Sequence, residues 1–99
     1  MKRFVVSEMY QVETEYEFAK SKKAGFYDGA SADKYYYFDT MEEAEAFFEK
    51  CEGTCEYNEL DKKYYQYIYE LYTEFFNENN EEWQVDCEAG SELKGGIYN

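Results

Sequence analysis

Apolar residues in the first segment fall on alternate positions. Phe4, Val6, Tyr10 and Val12 share one parity, interrupted only by Glu8, and this predicts a strand over 3–12. The alternation runs on, since Tyr16 and Phe18 follow the same beat between Glu13, Glu15 and Glu17. A longer strand therefore competes with a helix here. Thr14-Glu15-Tyr16-Glu17 favours the helix because it has capping-box spacing. Acids at Glu13, Glu15 and Glu17, then bases at Lys20, Lys22 and Lys23, complement a helix dipole, and Gly25 closes a helix over 15–23.

Residues 28–33, Asp-Gly-Ala-Ser-Ala-Asp, read as a loop, with Gly25–Asp28 as a candidate hairpin arm. Lys34–Asp39 holds Tyr35, Tyr36, Tyr37 and Phe38 and reads as a strand. A second capping box, Thr40-Met41-Glu42-Glu43, opens the clearest helix. Met41, Ala44, Phe47, Phe48 and Cys51 fall at the spacing of one buried face, and Gly53 is the expected stop. Strand-to-helix junctions of like chemistry thus occur twice, at Val12-Glu13-Thr14 and Phe38-Asp39-Thr40.

The segment 64–76 satisfies two periods. Leu60, Tyr64, Ile68, Leu71 and Phe75 fit a helix, while Tyr65, Tyr67, Tyr69, Leu71, Thr73 and Phe75 line one face of a strand. The dominance of aromatics favours the strand. Thr54–Leu60 is its first partner arm, with a turn at Asp61-Lys62-Lys63, and 82–87 around Trp83 and Val85 is the last, after a turn at 77–80. These elements predict an α+β fold: a single small domain over 1–99, mainly antiparallel β-sheet, with two short helices packed on one face and a C-terminal β-meander. Residues 89–99, rich in glycine, read as a mobile tail.

Composition narrows the function more than the pattern does. Thirteen Tyr and eight Phe in 99 residues exclude charge-driven disorder. They also exceed what so small a core can bury, so some Tyr must face outward, where interfaces use them. No apolar run approaches the length of a membrane span, and Phe4-Val5-Val6 is too short for a secretory signal, so a cytoplasmic location is expected. Cys51, Cys55 and Cys87 are odd in number and read as structural thiols. The chain has no His, the usual general base at neutral pH, and no Gly-rich phosphate loop. No catalytic residue, cofactor or metal site is expected. The oxygen-rich run from Asn77 to Glu82 has Glu88 at the twelfth position of a Ca²⁺ loop but lacks glycine at the sixth, and reads as a polar turn. A small enzyme built on a carboxylate dyad is the remaining catalytic alternative.

Charge is the strongest signal. The net charge is −13, yet residues 1–34 hold six basic and six acidic groups, whereas 35–99 hold four basic and 17 acidic. No base occurs between Lys63 and Lys94. Such a field repels nucleic acid and attracts basic protein surfaces. Glu42, Glu45, Glu49 and Glu52 would stand about 5–6 Å apart along a helix face. Glu70 and Glu74 would share a strand face roughly 13 Å apart. With Glu81, Glu82 and Asp86 they form the candidate partner-binding set. A solvated, solubilising exterior would use the same residues. In size, acidity and lack of catalytic groups the chain is similar in general character to small phage and mobile-element inhibitors, among them DNA mimics that block defence nucleases (anti-CRISPR proteins included). The expectation is a non-enzymatic acidic inhibitor or binding protein that occupies a basic groove of a nucleic-acid-binding protein or nuclease. The alternative from another class is a structural or assembly protein, a homodimer joined through an edge strand such as 82–87.

Overall fold

The computed structural model describes residues 1–24 and 32–95. The expected hairpin arm at 25–28, most of the 28–33 loop and the last four residues lie outside that range. The elements are β1 (Lys2–Thr14), α1 (Glu15–Ala24), β2 (Lys34–Phe38), α2 (Met41–Lys50), β3 (Thr54–Asn58), β4 (Lys63–Asn77), β5 (Glu82–Val85), a 3-10 turn (Cys87–Ala89) and β6 (Ser91–Lys94). The fold is α+β, mainly antiparallel sheet with two short helices in one small domain, as the sequence predicts.

Two long strands organise the sheet. β1 and β4 pair without interruption from Lys2 opposite Phe75 to Thr14 opposite Lys63. The strand reading of 64–76 therefore prevails. Its helical period is a coincidence of large side chains, and a 13-residue partner strand supplies the ladder that decides between the two. β2 adds to the outer edge of β1, with Val6 opposite Tyr36. Because β1 fills one edge of β4, every other partner must use the opposite edge. β3 lies against Lys63–Tyr67, β6 against Tyr69–Tyr72 and β5 against Glu74–Asn77. β3, β4 and β5 do follow one another antiparallel through short turns, as expected for a meander. However, β3 and β5 lie end to end along one edge of β4, not on either side of it. Between them stands β6, so Ser91–Lys94 is a strand paired to β4 and not part of the mobile tail expected over 89–99.

Alternation along these strands gives the sheet two distinct faces. Phe4 and Val6 of β1, Tyr36 and Phe38 of β2 and Tyr69 and Leu71 of β4 form the first face, and α2 packs on it through Met41, Ala44, Phe47, Phe48 and Cys51. This is the helix face that the 3–4 spacing predicts, and Val6, Ala44, Phe48 and Leu71 are its buried centre. The second face holds Val5, Gln66 and Ile68, all buried. Phe18 of α1 stacks on Tyr64 with ring centres 3.8 Å apart, and Tyr64 belongs to this second face. The two helices thus sit over opposite faces, not one. The reason is parity: β1 ends at Thr14, where α1 turns back onto the face opposite the one that α2 covers.

Thr14 and Glu17 form a full capping box, and Thr40 caps α2 through its hydroxyl. The Thr14 hydroxyl accepts from the Glu17 amide and the Glu17 carboxylate accepts from the Thr14 amide, at 3.2 and 3.0 Å. The Thr40 hydroxyl accepts from the Glu43 amide at 3.2 Å and donates to the Glu43 carboxylate at 3.0 Å. The hydrogen bonds from Thr14 hold the Glu17 carboxyl below its ordinary range. Gly53 does not end α2, which stops at Lys50 with Cys51 as C-cap. Its role is closeness, because a Cβ there would lie 2.4 Å from the backbone nitrogen of Gly95.

Candidate functional site

Eight of the nine acidic residues singled out in the sequence occupy three separate places, and Asp86 stands beyond β5 as the cap of the 3-10 turn. Glu42, Glu45 and Glu49 project from the outer side of α2 and are exposed, because the inner side is committed to the sheet. Glu52 is exposed just beyond the helix, in the connection to β3. These four carboxylates lie on the α2 side of the molecule. Glu70 and Glu74 lie on the second face of the sheet, by alternation with Leu71 and Thr73. Glu81 and Glu82 are exposed in the turn and first residue leading into β5. The candidate set is therefore not one surface.

Two of the nine are engaged within the chain. Glu74 accepts a hydrogen bond from Nε of Arg3 at 2.8 Å. Asp86 faces Lys2 Nζ at 3.8 Å and also caps the 3-10 turn by accepting from the Glu88 amide at 3.2 Å. Between described side chains these are the two ion pairs that form. The bases of β1 thus neutralise acids of the C-terminal region, and the α2 row keeps its charge.

The chain's polar turn at 77–82 also has a structural explanation. Asn77 Oδ1 accepts from the Asn79 amide at 3.0 Å, and Asn80 Oδ1 accepts from the Glu82 amide at 3.2 Å. These oxygens shape the turn. Among the described residues no three Cys, Asp or Glu side chains gather closely enough to hold a metal ion. The three cysteines form no disulfide. Cys51 is partly buried, donates to the Phe47 carbonyl at 3.3 Å, and has its thiol pushed up by burial. Cys87 is exposed, unlike the buried thiol expected from the sequence. No helix of the described residues is long and apolar enough to cross a membrane.

The first face continues past α2, and there it is open. α2 covers Phe4, Val6 and Leu71, whereas Tyr10 and Tyr67 remain 44% and 43% exposed. Their rings pack at 4.8 Å between centres, and Tyr10 also meets Tyr65 at 6.5 Å. The Tyr65 hydroxyl is held by Asp61, and this bond keeps its proton on beyond the ordinary tyrosine range. A depression of about 530 Å³ lies over these rings, walled by Thr54, Glu56, Asn58 and Glu59 of β3 and the turn after it. It joins a second of about 630 Å³ through Thr54, Glu56 and Tyr67, which reaches Glu52 and Cys51 at the end of α2. In that second hollow the Tyr69 hydroxyl donates to Glu8 at 2.8 Å. Glu8, the one polar interruption of the apolar parity in β1, is thus the acceptor for a half-buried phenol. The α2 acids and this aromatic groove lie on the same side of the sheet.

Sequence reasoning anticipated exposed Tyr without placing it. The signal was present in the shared parity of Tyr10 with Val6 and of Tyr67 with Leu71. What the pattern lacked was where along β1 and β4 the helix α2 sits, over Val6 and Leu71 and short of Tyr10 and Tyr67. Comparison with protein-family models, with curated proteins and with solved structures gave no match.

Proposed function

We propose that the protein is a non-enzymatic acidic binding protein that occupies a basic surface of a partner protein. The observation that carries this reading is the exposed carboxylate row of α2, Glu42, Glu45 and Glu49, continued by Glu52, on a helix whose inner side is fixed to the sheet. A rigid support matters because held charges lose less side-chain and backbone freedom on docking than those on a flexible tail. The partner class is a nucleic-acid-binding protein, in particular a nuclease of a defence system such as a CRISPR effector. Its basic groove is built for a row of phosphates, and the acidic helix would compete for it by charge and bulk. Association would be fast and would weaken with salt.

The test is inhibition of such nucleases at about 50 and 300 mM salt, concentrations that span strong and weak screening. The native chain is compared with the variant carrying Glu42→Gln, Glu45→Gln, Glu49→Gln and Glu52→Gln. Inhibition that falls with salt and is lost in the variant supports the reading. Unchanged inhibition by the variant removes α2 from it.

A further inference from the structure

The geometry points to the open aromatic groove beside α2 as the seat for an arginine side chain of the partner protein. This rests on the proposed function and names where its partner's basic surface would be read. Three observations converge. Tyr10 and Tyr67 expose ring surface from the middle of two paired strands, where the sheet holds them in place. The hollow above them is walled by Glu56 and Glu59, and no lysine or arginine is among its own described lining residues; Lys50 lines the second hollow that joins it at Glu56. Its floor and walls are therefore electronegative at once, since the face of an aromatic ring carries the negative end of its quadrupole.

A planar guanidinium satisfies both features. It stacks on a tyrosine ring and can donate two parallel hydrogen bonds to one carboxylate. A lysine ammonium can do the first only as a point charge and cannot do the second. Phosphate is repelled by the same carboxylates. An apolar side chain would bury Glu56 and Glu59 without a partner, at a cost. The protein contains a working example of the same recognition. On the second face, Arg3 lies between Tyr37 and Trp83, with its guanidinium carbon 4.1 and 4.2 Å from the ring centres, and Glu74 accepts a hydrogen bond from its Nε. The groove offers the same residue types, tyrosine and glutamate, with no arginine among its described lining residues. Because Tyr10 and Tyr67 pack on each other at 4.8 Å, a guanidinium there would stack on their outer ring surface and not between them.

The experiment titrates the full chain with a nonapeptide of arginine and a nonapeptide of lysine at low salt, by calorimetry and by amide chemical shifts. The proposal expects shifts centred on Tyr10, Thr54, Glu56 and Tyr67. It also expects at least threefold tighter binding of the arginine peptide, a preference that Tyr67→Ser abolishes. Glu56→Gln, which preserves volume and folding, should weaken the arginine peptide at least fivefold. The remote control Glu78→Gln removes the same charge and should change it less than twofold. Equal affinity for the two peptides, or equal effects of Glu56→Gln and Glu78→Gln, overturns the groove. Arginine-peptide binding lost in the fourfold α2 Gln variant but untouched by Glu56→Gln and Tyr67→Ser also overturns the groove, and leaves the proposed function standing. No binding of either peptide overturns both.

Discussion

The guanidinium carbon of Arg3 lies 4.2 Å from the centre of the Trp83 ring. This contact joins the second residue of β1 to β5, which pairs with the C-terminal end of β4. Tyr37 of β2 closes the other side of the guanidinium at 4.1 Å, so one arginine links three strands across the sheet. The group is partly shielded from water, with 27% of the Arg3 side chain and 14% of the Glu74 side chain exposed. Arg3→Ala should therefore cost roughly 1–3 kcal/mol, the combined scale of cation–π contact and a charge-assisted hydrogen bond. Urea unfolding followed by the fluorescence of Trp83, the chain's one tryptophan, reads this directly. A loss below about 0.5 kcal/mol, within the range of ordinary surface substitutions, would mean that the stack contributes little.

Gly95 is a fixed point of the fold. Its φ of 92° is left-handed, and a Cβ there would fall 2.0 Å from the Tyr67 carbonyl oxygen and 2.8 Å from the Cα of Gly53. Neither obstacle is a movable side-chain end. Gly95→Ala should destabilise by more than about 2 kcal/mol, combining backbone strain with displacement of β4 or of the 51–53 connection. Thermal unfolding checks this. Gly90→Ala is the comparison, since Gly90 also has a positive φ, 76°, but a Cβ there meets nothing within 4 Å. It should lose only the smaller, conformational part. Equal losses would show that crowding at Gly95 is not the cause.

Alkali should destabilise the chain through its half-buried phenols. Burial first, and then the hydrogen bond to Glu8, push the Tyr69 phenol well above its ordinary value. Burial, then the charge of Glu74, does the same to Tyr72. The exposed Tyr57 is pushed up to about 12 by its bond to Glu15. Below an ordinary tyrosine value of about 10, both folded and unfolded states hold these protons and stability is at its full level. Above it the unfolded chain releases them first, so stability falls as pH rises toward the folded values. Tyr69→Phe has no proton to release and should make that decline shallower between pH values of about 10 and 12. Urea midpoints across this range, with tyrosinate absorbance as the second readout, decide it. Ionisation of all tyrosines in a single step near 10 would contradict the shifts.

The parts of the fold legible in the sequence were those set by local chemistry. Thr14 and Thr40 mark both helix starts because each hydroxyl has a glutamate three residues on. The face of α2 follows from its period, whereas 64–76 fits two periods and is a strand by its aromatic content. What was not legible depended on pairing at a distance. Only the β1–β4 ladder forces β3, β6 and β5 onto one edge. Only the direction in which α1 leaves Thr14 places Phe18 on Tyr64, on the face opposite α2. The candidate site divided in the same way. The α2 row was readable from helical spacing. The engagement of Glu74 by Arg3, across 71 positions of sequence, and the open groove at Tyr10 and Tyr67 were not.

The most direct measurement of the central claim is displacement of labelled duplex DNA from a basic defence nuclease by this protein, followed by fluorescence anisotropy as salt is raised. The account predicts displacement at low salt that weakens steeply toward high salt. It also predicts at least a tenfold loss of potency, about 1.4 kcal/mol, in the variant with Gln at 42, 45, 49 and 52. Failure to displace DNA from any such nuclease at low salt, or equal potency of native and variant chains, would contradict it.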